Sequence, residues 1–226
     1  ELKILAVVVA LTLITYWGVE PYAHHEMHPP GAPADFAFSD VKESVADVTA
    51  LEGNATSGEA LVTANCTACH SIESKGFPQV MDNTSSGSAY GVTPPDLGSA
   101  GKLYNATYLA AFIKDPATAS RVAHKFVDGR AHPMPSYNWM QPQEIADMVA
   151  YLKSIAPKEM TNKEVFTDSC QRCHAIKYAD MKGGSMAAFT PKDDVKHYMG
   201  KLPPDLSQYI KSRGHHYLET FINSPE

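Results

Sequence analysis

Apolar residues run from Ile4 to Val19, with only Thr12 and Thr15 as breaks. Leu2, Trp17 and Tyr22 extend the run toward the roughly 20 residues that cross a bilayer as a helix. Tyr16 and Trp17 stand where interfacial aromatics belong. The pattern predicts a transmembrane anchor over residues 1–22. A cleaved signal peptide is the rival reading, but the exit through Glu20-Pro21-Tyr22-Ala23 lacks the small-x-small signature of a cleavage site. One positive charge, Lys3, agrees with an N-terminus on the inner side. Residues 23–52 read as a linker, in which His24, His25 and His28 precede Pro29-Pro30-Gly31-Ala32-Pro33. Those histidines suit a polar collar at the membrane surface, with a metal or quinone contact as the alternative.

Further along, the period of the pattern changes. Ile145, Met148, Val149 and Leu152 recur at i, i+3, i+4 and i+7 behind Pro142, which predicts an amphipathic helix over 141–156. Shorter helices are expected at Ser57–Ala64, carrying Leu61 and Val62, and at Asn162–Asp168, carrying Val165 and Phe166. Strand signals are few, and the remainder is rich in Gly, Pro and Ser. The expected fold is mostly α, wrapped around something other than its own side chains.

The chain also repeats itself. Pro94-Pro95-Asp96-Leu97 returns as Pro203-Pro204-Asp205-Leu206. Tyr108-Leu109, Phe112-Ile113 and Pro116 return, at identical spacing, as Tyr217-Leu218, Phe221-Ile222 and Pro225. An internal duplication explains this. It divides the chain after the linker into modules at 53–157 and 158–226. The first module ends with His132-Pro133-Met134-Pro135 and the amphipathic helix. At the same spacing after Pro204 the sequence has passed Glu226, so the second module is expected to be incomplete at its C-terminus.

Composition narrows the chemistry. A net charge of −6 argues against a nucleic-acid partner. The four cysteines are Cys66, Cys69, Cys170 and Cys173. They form two C-x-x-C pairs, each followed at once by a histidine, His70 and His174. C-x-x-C-H reads as a c-type haem attachment site, in which the thiols add across the vinyl groups and the histidine ligates the iron. A redox C-x-x-C or half a zinc site are the plain alternatives, but a zinc ribbon sets its pairs about 15–20 residues apart. These pairs lie far more widely spaced. Two covalently bound haem c groups are therefore expected.

The pattern Cys66–His70, Pro95–Leu97, Met134-Pro135 and Tyr151-Leu152 resembles class I cytochrome c. Gly58 matches the glycine at which the terminal helices of that family cross. The resemblance implies His70 as proximal and Met134 as distal iron ligand, with the Pro95 carbonyl accepting the His70 ring N–H. In the second module it offers Cys170, Cys173, His174, Pro204 and Leu206, but Asn162 stands where the glycine would be. Other candidate ligands remain. His124 and His132 compete with Met134 for the first haem. Met181, Met186 and Met199, or His215-His216, are candidates for the second.

Two such modules behind one anchor resemble the dihaem cytochrome c subunits of cytochrome bc1 complexes. The stretch Tyr16-Trp17-Gly18-Val19-Glu20-Pro21-Tyr22-Ala23-His24 is similar to the campylobacterial type. That resemblance implies a bacterial inner-membrane protein with periplasmic haem domains. Its partners would be cytochrome b, a Rieske iron–sulfur protein, and a soluble cytochrome c or terminal oxidase. The subunit of a cbb3-type oxidase is the nearest rival, and a free-standing shuttle another. A dihaem peroxidase or thiosulfate dehydrogenase is the rival that would be an enzyme in its own right. No nucleophile with its base and no Gly-rich phosphate loop was found in the sequence, and His/Met ligation suits outer-sphere electron transfer.

Overall fold

The computed structural model describes residues 2–27, 39–90, 93–120, 131–171, 173–182, 196 and 201–223. It divides into two units, Glu1–Ala37 with Gln208–Glu226, and Phe38–Ser207. Among the described residues it is helical, and its pairings outside helices are isolated bridges.

In the first unit the apolar run forms one helix, α1 (Leu2–Met27), with a π-helical turn at Thr15–Val19. None of its residues is buried. It is long and apolar enough to cross a membrane. It continues past the expected end at residue 22, because Glu20-Pro21 falls where a preceding turn already supplies helical geometry and His24 and His25 fill its last turn.

The second unit is built on two crossing helices. α4 (Ala55–Asn65) begins at Asn54, whose side-chain oxygen accepts the Thr56 and Ser57 N–H groups at 2.9 and 3.2 Å. α9 (Pro142–Ile155) starts on Pro142, which needs no N–H at that place. Glu144 reaches back to the Gln141 N–H at 2.8 Å. Their contact buries Val62, Ile145, Met148, Tyr151 and Leu152. Gly53 and Gly58 meet α9 so closely that an added methyl would overlap the carbonyls of Ala146 and Asp147. The shorter α5 (Asn83–Tyr90), α6 (Ala100–Leu103), α7 (Ala106–Lys114) and α8 (Pro116–Ala119) complete this core.

Residues 39–49, expected as linker, instead form α2 (Ser39–Ser44) and α3 (Ala46–Thr49). Val41, Val45 and Val48 are buried in the common core. Lys114 on α7 fastens them through the Ser44 carbonyl and the Asp47 carboxylate, both at 3.1 Å. The ion pair is partly solvated and worth at most about 1 kcal/mol. The apolar burial of the three valines contributes more.

Asp147 is the polar fastener of the crossing. It is 7% exposed and accepts the Asn54 N–H at 2.7 Å and the Gln143 side-chain amide at 2.8 Å. Asp147→Ala removes the buried carboxylate that accepts the Asn54 N–H at the start of α4. The expected loss is about 1–3 kcal/mol, read as a lower urea midpoint with an unchanged slope.

Candidate cofactor site

α4 ends at Cys66, whose N–H still donates to Val62. The next turn folds back on the Cys66 carbonyl, which accepts the N–H groups of Cys69 at 3.1 Å and His70 at 2.8 Å. This turn sets two thiols and an imidazole on one wall. The His70 ring Nδ1 lies 2.7 Å from the Pro95 carbonyl oxygen. A carbonyl can only accept, so Nδ1 carries the proton and Nε2 bears the lone pair. The Pro95 loop is clamped in turn. Leu97 N–H donates to the Ser71 carbonyl at 2.9 Å, and Asp96 accepts the N–H groups of Glu73 (2.9 Å) and Gly98 (2.7 Å). An Ile72–Phe77 bridge closes over a 3₁₀ turn at Glu73–Lys75, and Gly76 takes the left-handed conformation there, φ 80°.

The facing wall carries Met134. Its segment is held at three points: Ser136 Oγ donates to the Lys114 carbonyl at 2.6 Å, Tyr137 N–H to the Ile113 carbonyl at 3.2 Å, and Tyr137 Oη to the Asn65 carbonyl at 2.8 Å. The last bond ties the methionine wall to the end of the cysteine helix, and no residue pattern announces it. His132 packs edge-on to Phe112 at 6.3 Å and folds its Nδ1 back on the Met134 backbone. Tyr104, Tyr108 and Phe112 form a tilted aromatic ladder at 5.5 and 5.8 Å.

Between the walls lies a cavity of about 470 Å³, lined by Cys66, Cys69, His70, Pro95, Met134 and apolar or aromatic neighbours. Its size is that of a cofactor pocket. Its interior disfavours charge. Burial, with Cys69 second, pushes the Cys66 thiol up to about 12. Burial, then Tyr104, pushes Tyr108 up to about 12. Burial holds His132 below the usual imidazole value, against the opposing pull of the Met134 backbone and Asp115. Two thiols, an imidazole lone pair and a thioether around an apolar slot fit a thioether-linked haem with His/Met ligation. Among the described residues no three His, Cys, Asp or Glu side chains gather as a metal cluster, and the two C-x-x-C pairs do not combine into a zinc site.

The second motif repeats the first bond for bond. α10 (Asn162–Ser169) leads into Cys170, whose carbonyl accepts the N–H groups of Cys173 (3.0 Å) and His174 (2.8 Å). His174 Nδ1 lies 2.9 Å from the Pro204 carbonyl, and Leu206 N–H donates to Ala175 at 2.8 Å. Asp205 accepts the N–H groups of Lys177 and Ser207, as Asp96 does in the first copy. Hydrogen bonds from Ser207, first of all, hold its carboxyl below the usual range. Asp180, φ 53°, stands for Gly76, and Met181 pairs with Ile176 as Phe77 does with Ile72. Met181 thus fills a structural position of the turn. In the first unit, α11 (Tyr209–Asn223) breaks at Gly214, φ 75°. That break divides it into the counterparts of α6 and α7, with Tyr217 stacked on Phe221 at 5.9 Å. His215 and His216 belong to the second of these pieces. His28, His124, Met186 and Met199 lie outside the described residues.

Asp168, in the last turn of α10, also lines the first cavity. Nothing in its sequence context marks it.

The cytochrome c family profile matches residues 55–156. A cytochrome c-553-like protein of Synechocystis sp. is 30% identical over 124 residues, 55% of this chain and 90% of that protein. No solved structure matches.

Proposed function

The chain belongs to the cytochrome c family, and from that premise we propose that it is a membrane-anchored dihaem electron-transfer subunit of a quinol–cytochrome c reductase of the bc1 type. Electron transfer follows from the family. The finer reading rests above all on one observation: the turn around Cys170, Cys173, His174 and Pro204 reproduces the one around Cys66, Cys69, His70 and Pro95.

When bound, haem c supplies a one-electron Fe(III)/Fe(II) couple. The chain does the rest. Cys66 with Cys69, and Cys170 with Cys173, would hold the two groups through thioether bonds. His70 and His174 would hold the irons through Nε2, while Pro95 and Pro204 orient the rings by accepting the Nδ1–H. Met134, which lines the same cavity, would supply its thioether to the first iron. The apolar lining excludes water, which sets the potential together with the ligands.

α1, at 1.5 Å per residue, is about 39 Å long, enough for a hydrocarbon core of about 30 Å. It serves as the anchor in the bacterial inner membrane. The haem modules then stand in the periplasm, receive electrons from a Rieske protein beside cytochrome b, and deliver them to a soluble cytochrome c or a terminal oxidase.

Two measurements test this. Covalent haem per polypeptide should be two in the intact chain and one in either C66S/C69S or C170S/C173S. One haem in the intact chain would end the dihaem reading. Mild-detergent purification through this chain should bring cytochrome b and a Rieske protein. Copper-oxidase subunits in their place would assign it to a cbb3-type oxidase.

A further inference from the structure

Among the described residues the lining of the first cavity contains two carboxylates, and they differ in kind. Asp96 has both oxygens engaged by backbone N–H groups of the loop it clamps. Its charge is balanced by peptide dipoles, and its role there is structural. Asp168 has no hydrogen bond or ion pair among the described residues, where the ion pair is Lys114–Asp47. It is half-buried. Every other described lining residue lies between Asn65 and Leu152, whereas Asp168 comes from beyond the family match, two residues before Cys170. Among the described residues no lysine or arginine lines the cavity.

Local structure gives no reason for an acid at this place. The last turn of a helix carries the negative end of its dipole, where a carboxylate is unfavourable, and α10 has no basic residue in that turn. The charge therefore has its effect across the cavity. A negative charge beside a site that gains an electron opposes the gain, and an apolar surrounding screens that repulsion less than water does.

We infer that Asp168 is a positioning residue for charge: a carboxylate supplied by the second half of the chain that lowers the reduction potential of the first haem and so favours release of its electron. This rests on the reading of the first cavity as a haem site, though not on any partner. It also makes the boundary between the two halves an element of the redox site itself, because Asp168 and Cys170 are joined by one residue.

The test is a redox titration of the full-length holoprotein by absorbance. Each wave is assigned by its absence from the variant lacking the corresponding cysteine pair. Asp168→Asn removes the charge at constant shape, and Asp168→Glu retains it. Glu159→Gln removes an exposed charge that does not line the cavity. With Asp168→Asn, the reduced-to-oxidised ratio of the first haem at the wild-type midpoint should rise roughly threefold or more. Asp168→Glu should stay near wild type and Glu159→Gln should not move. An unshifted first wave with unchanged absorption bands overturns the proposal, as does an equal shift from Glu159→Gln. If Asp168→Asn disturbs the bands, Asp168→Ser decides beside Asp168→Glu: a midpoint that follows charge supports the role, and one that follows side-chain size overturns it. A first motif found by mass to carry no covalent haem overturns the cofactor reading itself, before any titration.

Discussion

Gly58→Val lowers the unfolding free energy by about 3 kcal/mol, the upper end of what overpacking a core costs, while Ser57→Val next to it costs a few tenths. The difference comes from what each Cβ meets. At Gly58 it overlaps the Asp147 carbonyl and lies 2.9 Å from the Tyr151 Cβ. A helical carbonyl and a Cβ cannot rotate aside as a side-chain tip can, so α4 and α9 have to separate. Separation loosens Val62, Ile145 and Met148, which are at most 1% exposed. It also strains the Asn54–Asp147 bond. Ser57 is exposed on the outer side of the same helix. Gly58→Ala is the stricter comparison, because alanine gains up to about 1 kcal/mol of helix propensity over glycine. It should still be destabilising, since the clash begins at the first carbon. Urea unfolding of the holoprotein measures all three, and a Gly58→Ala protein as stable as wild type would show that the crossing yields.

Met134→Ala keeps the covalent haem of the first motif but loses its methionine–iron charge-transfer band. The midpoint of that haem falls by on the order of 0.2 V, a quarter of the roughly 0.8 V over which axial ligands set haem potentials. The direction follows from the thioether, which raises the potential of a His-ligated iron. An opened sixth position at the first haem also binds carbon monoxide, which a His/Met-ligated iron there does not. His132→Ala is the necessary comparison. His132 lines the same cavity two residues away, and its ring folds back on the Met134 backbone. With Met134 as ligand, His132→Ala preserves the band and at most shifts it. A band that survives Met134→Ala and vanishes with His132→Ala would transfer the sixth position to the histidine.

Much of the site was legible because it is local or repeated. Cys66, Cys69 and His70 announce their chemistry within five residues, since one turn of chain must present both thiols and the ring. The partner loop is found by repetition, as Pro94–Leu97 and Pro203–Leu206 each follow their own motif, with 25 and 30 residues from histidine to loop proline. The amphipathic helix was readable from its period, and α9 spans Pro142–Ile155 as expected. Residues 39–49 read as linker because Val41, Val45 and Val48, although spaced i, i+4 and i+7, cover only about two turns beside the Pro-rich stretch 29–33. Their helices are held by packing on α7 and α9 and by Lys114.

The sequence by itself therefore determined the repeated C-x-x-C-H and Pro-Pro-Asp-Leu patterns, the apolar span of α1 and the amphipathic helix α9. Each is carried by residue types at fixed short spacing, where chain geometry leaves few alternatives. Tertiary structure decided the rest: which carbonyl lies against Gly58, that Asp147 fastens the start of α4, that Tyr137 reaches Asn65, and that Asp168 joins the first cavity. These depend on side chains meeting across long loops, and a hydroxyl or carboxylate takes whichever donor or field the packing brings to it.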